Sequence, residues 1–189
     1  MNKQEFLQRF QFSSLAPASS KYRFGSNVKS AAVLVPLTEV HGELQVVLTK
    51  RAEHLKHHPG QVSFPGGKVE DFDKSLQAAA IRETHEEIGV PPEFINIIGQ
   101  LHPYQTISGY QIFPVVGFID SQSSYIADKN EVSEIFHVPL RHFLNFNNHL
   151  SVEMKHKGHS HFVHFMPYQG YNIWGATAAM LKDLSLHLS

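Results

Sequence analysis

The chain of 189 residues contains no cysteine. Disulfides, thiolate metal sites and cysteine nucleophiles are therefore excluded, which is compatible with a cytoplasmic protein. Charge of one sign is also missing. Sixteen Lys and Arg stand against 17 Asp and Glu, so no overall bias points to nucleic acid or to a membrane surface as partner. The first 15 residues, MNKQEFLQRFQFSSL, lack the continuous apolar stretch of a secretory signal. Nowhere does an apolar run approach the ~20 residues that would span a bilayer. Repeats and low-complexity tracts are absent too.

What is present suits a packed domain. Hydrophobic residues make up 42% of the chain, enough for a substantial core. Residues 1–30 read as an extension. Its first 12 residues can form a short helix with Phe6, Leu7 and Phe10 on one side, and a Ser-, Pro- and Gly-rich linker follows. Residues 31–189 read as one domain. AAVLVPL (31–37) and LQVVLTK (44–50) have the character of strands joined at His41–Gly42, followed by a basic loop, 51–60. FINIIGQLHPYQT and YQIFPVVGFID are strand-like, and Pro114 predicts an edge position or a bulge in the second. NEVSEIFHVPL follows a Ser-rich loop. SVEMKHK and HFVHFMP pair as a hairpin across Gly158, and GATAAMLKDLSLHL closes the chain as a helix. Strands alternating with two principal helices predict an α/β protein with a mixed sheet and helices packed on it. The 14 histidines are scattered and read mostly as surface residues.

One stretch carries chemistry: FPGGKVEDFDKSLQAAAIRETHEEIGV, Phe64–Val90. A helix from about Ser75 to Gly89 is capped by Asp73 or Ser75 and ended by the glycine. On it Glu83, Glu86 and Glu87 stand at i, i+3 and i+4, on one face. Ile81 and Ile88 fall on the opposite face, toward a core, and Ala79 on the acid side leaves room for a ligand. Like charges so spaced repel by about 0.2–0.5 kcal/mol per pair on an exposed helix. A hard divalent cation such as Mg²⁺, commonly held by one or two carboxylates with substrate phosphates and water, removes that cost. A solvated acidic helix end with Arg82 as surface partner is the bland alternative. Against it stands the glycine pair Gly66–Gly67, which permits close backbone approach and can aim a carbonyl at the same ion.

Gly67–Val90 resembles the Nudix box, the loop–helix motif of hydrolases that cleave nucleoside diphosphates linked to another group. Arg82, Glu83, Glu86, Glu87 and Gly89 match its second half in order. Asp73 stands where the box has Glu, and the spacer to Arg82 is one residue longer. The preceding LTKRAEHLKHHPGQVSFPGG (48–67) is similar to the signature of the coenzyme A diphosphatase branch, through Leu48, Thr49, Arg51, Ala52, Gly60 and Phe64–Gly67. Lys56 replaces the usual Arg, which keeps charge but not bidentate phosphate binding. IWGATAAML (173–181) also looks like this branch.

The resemblance implies an α/β/α sandwich and a small-molecule substrate, coenzyme A or another nucleoside diphosphate derivative such as ADP-ribose or a dinucleotide. It implies Mg²⁺ or Mn²⁺ held by Glu83, Glu86, Glu87 and the carbonyl of Gly67, with Arg82 orienting Glu83. Gly66, Gly67, Arg51 and Lys56 are the expected substrate contacts. The general base is one of the box glutamates, Glu131 or Glu134. Among the late aromatics, Tyr168 and Tyr171 are candidates for a ligand pocket, and Trp174 is expected in the core. A ligand-binding module without catalysis is the competing reading. Such modules usually lose box acids, and all three remain here.

Overall fold

Ala31–Val35 is apolar at every position, as a strand buried on both faces requires. In the computed structural model, which describes residues 1–13, 28–156 and 159–189, it lies within strand β1 (Lys29–Val40). Its side chains alternate as a pleat dictates: Ala32 and Leu34 enter one core, Val33, Val35 and Leu37 the other. β1 lies at the centre of an eight-stranded mixed sheet. The His41–Gly42 turn, left-handed at φ 51° and 78°, folds β2 (Glu43–Arg51) back antiparallel onto it. β2 in turn pairs with the short β3 (Val62–Ser63), and the start of β1 pairs with β4 (Gly66–Lys68).

On the other side β1 runs parallel to β7 (Tyr110–Ile119), which pairs antiparallel with β5 (Ile95–Gln100) and β6 (Tyr104–Gln105). β8 (Val132–Pro139) pairs antiparallel with β2. A separate hairpin joins β9 (Leu150–His156) and β10 (His159–Phe165), and its expected turn at Gly158 lies outside the described residues.

Helix α1 (Lys3–Phe12) and the C-terminal helix α4 (Gly175–Leu188) cover one face of the sheet, with the short α3 (Leu140–Leu144) beside them. Helix α2 (Leu76–Ile88) covers the other face. The result is the expected α/β/α sandwich. Asn2 caps α1 by accepting from the Glu5 amide. Phe6 and Phe10 are buried in the same core as the sheet, Phe6 edge-on to Phe118. Complete burial of a side chain such as Phe6 contributes on the order of 2–3 kcal/mol. The first helix is thus packed into the sandwich, while the expected linker, from Ser14 onward, falls outside the described residues. No helix among those residues is long and apolar enough to cross a membrane.

One expectation needs correcting, and two histidines are exceptions to the mostly superficial rest. Pro114 is neither at an edge nor at a bulge, because β7 is an interior strand flanked by β1 and β5. It is tolerated because it faces the break between β5 and β6. Its carbonyl accepts from Leu101 there (3.0 Å), so the missing N–H on the same edge removes no ladder bond. The histidines are also not all superficial. His187 is buried with its ring against Phe10 and Nε2 2.9 Å from the Phe10 carbonyl. His164, on strand β10 of the hairpin, is buried, and burial pushes its imidazole down to about 4.

Candidate active site

Helix α2 begins and ends where its sequence says. The Ser75 hydroxyl accepts from the Ala78 amide (3.0 Å), and Gly89 takes the left-handed ending at φ 71°. Its packing face is built from small residues. Ala79, Ala80 and Ile88 are fully buried against Ala32, Leu34, Val47 and Val115, whereas Ile81 is only partly buried. Ile81 therefore does not reach the core as expected, and Ala79 offers no space for a ligand because the sheet fills it.

The three glutamates do not share one environment. Glu86 is 55% exposed, the Glu83 side chain 16%. Glu87 is 4% exposed. The expectation that all the acids face away from the core fails at Glu87. It turns under β4, where the Gly66 amide donates to its Oε2 (3.2 Å). The carboxyl of Glu87 is pushed up to about 8, first by burial and then by the charges of Glu131 and Glu83. The Gly66 amide and Arg51 pull the other way. The Glu83 carboxyl is also raised, mainly by burial.

Both glycines before the helix are required by space. A Cβ on Gly66 would lie 2.5 Å from the Ala32 carbonyl oxygen and the Val33 Cα. A Cβ on Gly67 would lie 2.6 Å from the carboxyl of Glu83. The backbone of β4 and the acids of α2 are thus in direct contact.

Arg82 binds the acids together. Its Nε and Nη2 donate to the two oxygens of Asp73 (3.0 and 2.9 Å). Its Nη1 donates to Glu83 and Glu86 (2.8 Å each), and Nη2 also reaches the Lys68 carbonyl (3.2 Å). Asp73 is nearly buried and accepts from the Glu70 amide as well. Arg82 holds the Asp73 carboxyl below its ordinary range. The sequence offered Asp73 as a helix cap, but Ser75 caps and Asp73 anchors the arginine. The available signal was its place in the loop–helix motif, ahead of Arg82.

The loop before β8 hangs on the end of α2. Ile126 donates to the Ile88 carbonyl and Asp128 to that of Glu87 (2.9 and 3.0 Å). This places Glu131, exposed, close enough for its charge to act on Glu87 and Glu83. The Glu131 carbonyl accepts from the Ala52 amide (2.8 Å), which fixes the end of β2 and Arg51 in the same neighbourhood. Lys56 sits further out, exposed on the loop after β2. Glu134 is exposed and accepts from the Tyr171 hydroxyl (2.5 Å), and the Tyr171 ring stacks on Phe136 at 3.8 Å. Trp174, expected in the core, is 39% exposed and lies along Phe165. It borders a cleft of about 400 Å³ on the side of the sheet away from α2. Tyr168 lines a second depression, beside His142 and Asn148.

The donors at the α2 site are hard oxygens, and the carboxyls disfavour one another's ionisation. A divalent cation fits that chemistry. As the side chains stand, no group of three or more His, Asp or Glu among the described residues is gathered to hold a metal ion. Glu83 and Glu86 are engaged with Arg82, and Glu86 has the most room to turn.

A helix-covered mixed sheet, with a glycine loop laid on an acid-bearing helix, makes a hard-oxygen site suited to a divalent cation. Comparison with known proteins makes this specific. A model of the NUDIX domain matches residues 28–164. The chain is 43% identical over 184 residues to the "Uncharacterized Nudix hydrolase NudL" of Enterobacter sp. (strain 638), spanning 97% of this chain and 93% of that one. It is 39% identical over 188 residues to the protein of the same name from Klebsiella pneumoniae (strain 342), spanning 100% and 95%. The solved structure of the M. smegmatis Nudix hydrolase RenU shares the fold, with a TM-score of 0.54 at 19% identity, over 86% of this chain and 87% of that one. The chain belongs to the Nudix family and is a hydrolase of nucleoside diphosphate derivatives, a family whose members generally use divalent metal ions.

Proposed function

We propose that the protein hydrolyses the diphosphate bond of coenzyme A or its derivatives, giving 4′-phosphopantetheine and adenosine 3′,5′-bisphosphate, with Mg²⁺ or Mn²⁺. The observation that carries this reading is the location of the 48–67 segment, whose sequence is similar to the coenzyme A diphosphatase signature. It forms the end of β2, the basic loop, β3 and β4, so it brings Arg51 toward Glu87 and lays Gly66 and Gly67 on Glu87 and Glu83.

Glu83, Glu86, Glu87 and the Gly67 carbonyl are the groups that would hold the cation. Bound there, it neutralises phosphate oxygens and makes water a better nucleophile. The chain's own residues do the rest. Arg82 fixes the Glu83 carboxylate through charge-assisted bonds and is itself fixed by Asp73. Arg51 contributes positive charge at the diphosphate, and Lys56 at the mouth of the site. Glu131 accepts the proton of the attacking water. A P–O bond to that water forms as the bridging P–O bond breaks, and each product leaves as a phosphate monoester.

A panel of coenzyme A, ADP-ribose, NADH and a diadenosine polyphosphate, each incubated with Mg²⁺ or Mn²⁺ and read by mass, tests the substrate. Coenzyme A should be cleaved with the highest kcat/KM. Faster turnover of ADP-ribose or a dinucleotide would replace coenzyme A in this reading.

A further inference from the structure

The β9–β10 hairpin has one open edge. Among the described residues β9 pairs with β10 and with no other strand. β10 is occupied at its other edge, where Phe165 bridges to Trp174 and the Met166 amide donates to the Ile173 carbonyl (2.8 Å). It also packs on α4. An unpaired strand edge is a template for a further strand.

The Met166 bond shows which residues of β9 serve that edge. Main-chain polar groups alternate between the two sides of a strand in an antiparallel ladder. Those of Met166 point away from the hairpin, so those of Phe165, Val163 and His161 point toward β9. Their partners Leu150, Val152 and Met154 point back toward β10. Ser151, Glu153 and Lys155 therefore turn their N–H and C=O groups to the open edge.

The side chains on that edge carry both signs. Glu153 and Lys155 are exposed and, being two residues apart, lie on one face of the ribbon. Leu150, Val152 and Met154 project from the opposite face and are exposed apolar side chains. Charges of one sign would repel a second copy of the same strand. A Glu and a Lys at i and i+2 are instead self-complementary when two copies of β9 run antiparallel about a two-fold axis at Met154. Glu153 then lies opposite Lys155 of the second copy, and Lys155 opposite its Glu153.

That register also suits the backbone. Glu153 and Lys155, whose main-chain groups face outward, exchange hydrogen bonds across the axis. Met154 meets its own copy as the closer pair without such bonds. A slip of one residue would set outward groups against inward ones. A slip of two would oppose Glu153 to Glu153, or Lys155 to Lys155, and like charges directly opposite destabilise a sheet. From this charge complementarity on an open edge we infer that β9 pairs with β9 of a second copy of this chain. The two hairpins join into one four-stranded sheet across an isologous interface.

Sedimentation equilibrium over a dilution series tests the association, and wild type should show a reversible monomer–dimer equilibrium. Glu153→Lys or Lys155→Glu alone changes both symmetric pairs and should raise the dissociation constant at least tenfold. The double exchange Glu153→Lys/Lys155→Glu should restore it to within about threefold of wild type. Cross-linking tests the register. The chain has no cysteine, so Met154→Cys carries a single thiol, with its Cα about 4.5 Å from its symmetry mate, within disulfide reach. Mild oxidation should convert most of it to a covalent dimer. Val152→Cys, on the same face, sets the two thiols about 13 Å apart along the strands and should cross-link at least tenfold less. A wild type that stays monomeric at every concentration leaves the edge to a different partner and overturns the inference. A dimer untouched by the single charge reversals, or equal cross-linking of the two cysteine variants, overturns it as well. Neither readout depends on the proposed substrate.

Discussion

The two faces of the central sheet are packed by different means. Under α1, α3 and α4 the core is thick and rich in large side chains, among them Phe6, Phe118, Phe143, Met166, Leu181 and Leu184. Under α2 it is thin: Ala32, Leu34, Val47, Ala79, Ala80 and Ile88. Small residues let a helix and a sheet approach closely. That approach puts the Gly66–Gly67 backbone in contact with Glu87 and Glu83. One face therefore holds the fold together, while the other holds carboxylates against a backbone. The same side chain, repeated within five residues of α2, meets solvent at one position and the interior at another.

Opposite substitutions should break the two faces. Phe143→Ala on the thick face leaves a cavity and should cost about 3–5 kcal/mol in urea unfolding, with kcat per folded molecule unchanged.

Glu87→Gln should alter the pH dependence of stability in metal-free protein. Glu87 stays protonated up to about pH 8 when folded, but ionises near 4.5 when unfolded. Between those values the folded state binds the extra proton, so wild type should lose about 2–4 kcal/mol as pH rises from 4.5 to 8. The glutamine variant should lack that decline. With metal present its turnover should fall at least a hundredfold, about 2.7 kcal/mol of barrier.

On the thin face Ala80→Leu overfills the contact. It should cost about 1–3 kcal/mol and also lower activity more than tenfold by lifting the carboxylates, a coupling that Phe143→Ala should not show. Gly67→Ala should have the smallest effect on stability, about 1 kcal/mol, because the nearest atoms to the new methyl belong to the Glu83 carboxyl rather than to backbone. Activity should still fall about tenfold, since that carboxyl is displaced. A melting curve and a rate assay on each variant separate the cases.

Much of this was legible in the chain. Alternating burial on both faces of β1 follows from an unbroken apolar run, and both ends of α2 follow from Ser75 and Gly89. Helical spacing placed three acids on one face, but it could not show which part of that face is roofed. The roof, β4, is three residues long, with no apolar pattern to announce it. Ile81 was expected in the core because helical spacing sets it opposite the acids, whereas the close contact with the sheet buries Ala79 and Ala80. Pro114 misled because a local rule about proline knows nothing of where the neighbouring strand breaks. Asp73 was read as a cap since its partner, nine residues away, becomes adjacent only after the loop turns. The exposed Trp174 likewise depends on a tight turn, Tyr168–Tyr171, that composition does not reveal.

The α2 carboxylates and Gly67 are assigned to a divalent cation, and counting bound Mn²⁺ by electron paramagnetic resonance examines that assignment without any substrate. Wild type should bind Mn²⁺, and a Glu83→Gln/Glu86→Gln/Glu87→Gln variant that still folds should bind it at least a hundredfold more weakly. Equal Mn²⁺ affinity in the two proteins would contradict the assignment.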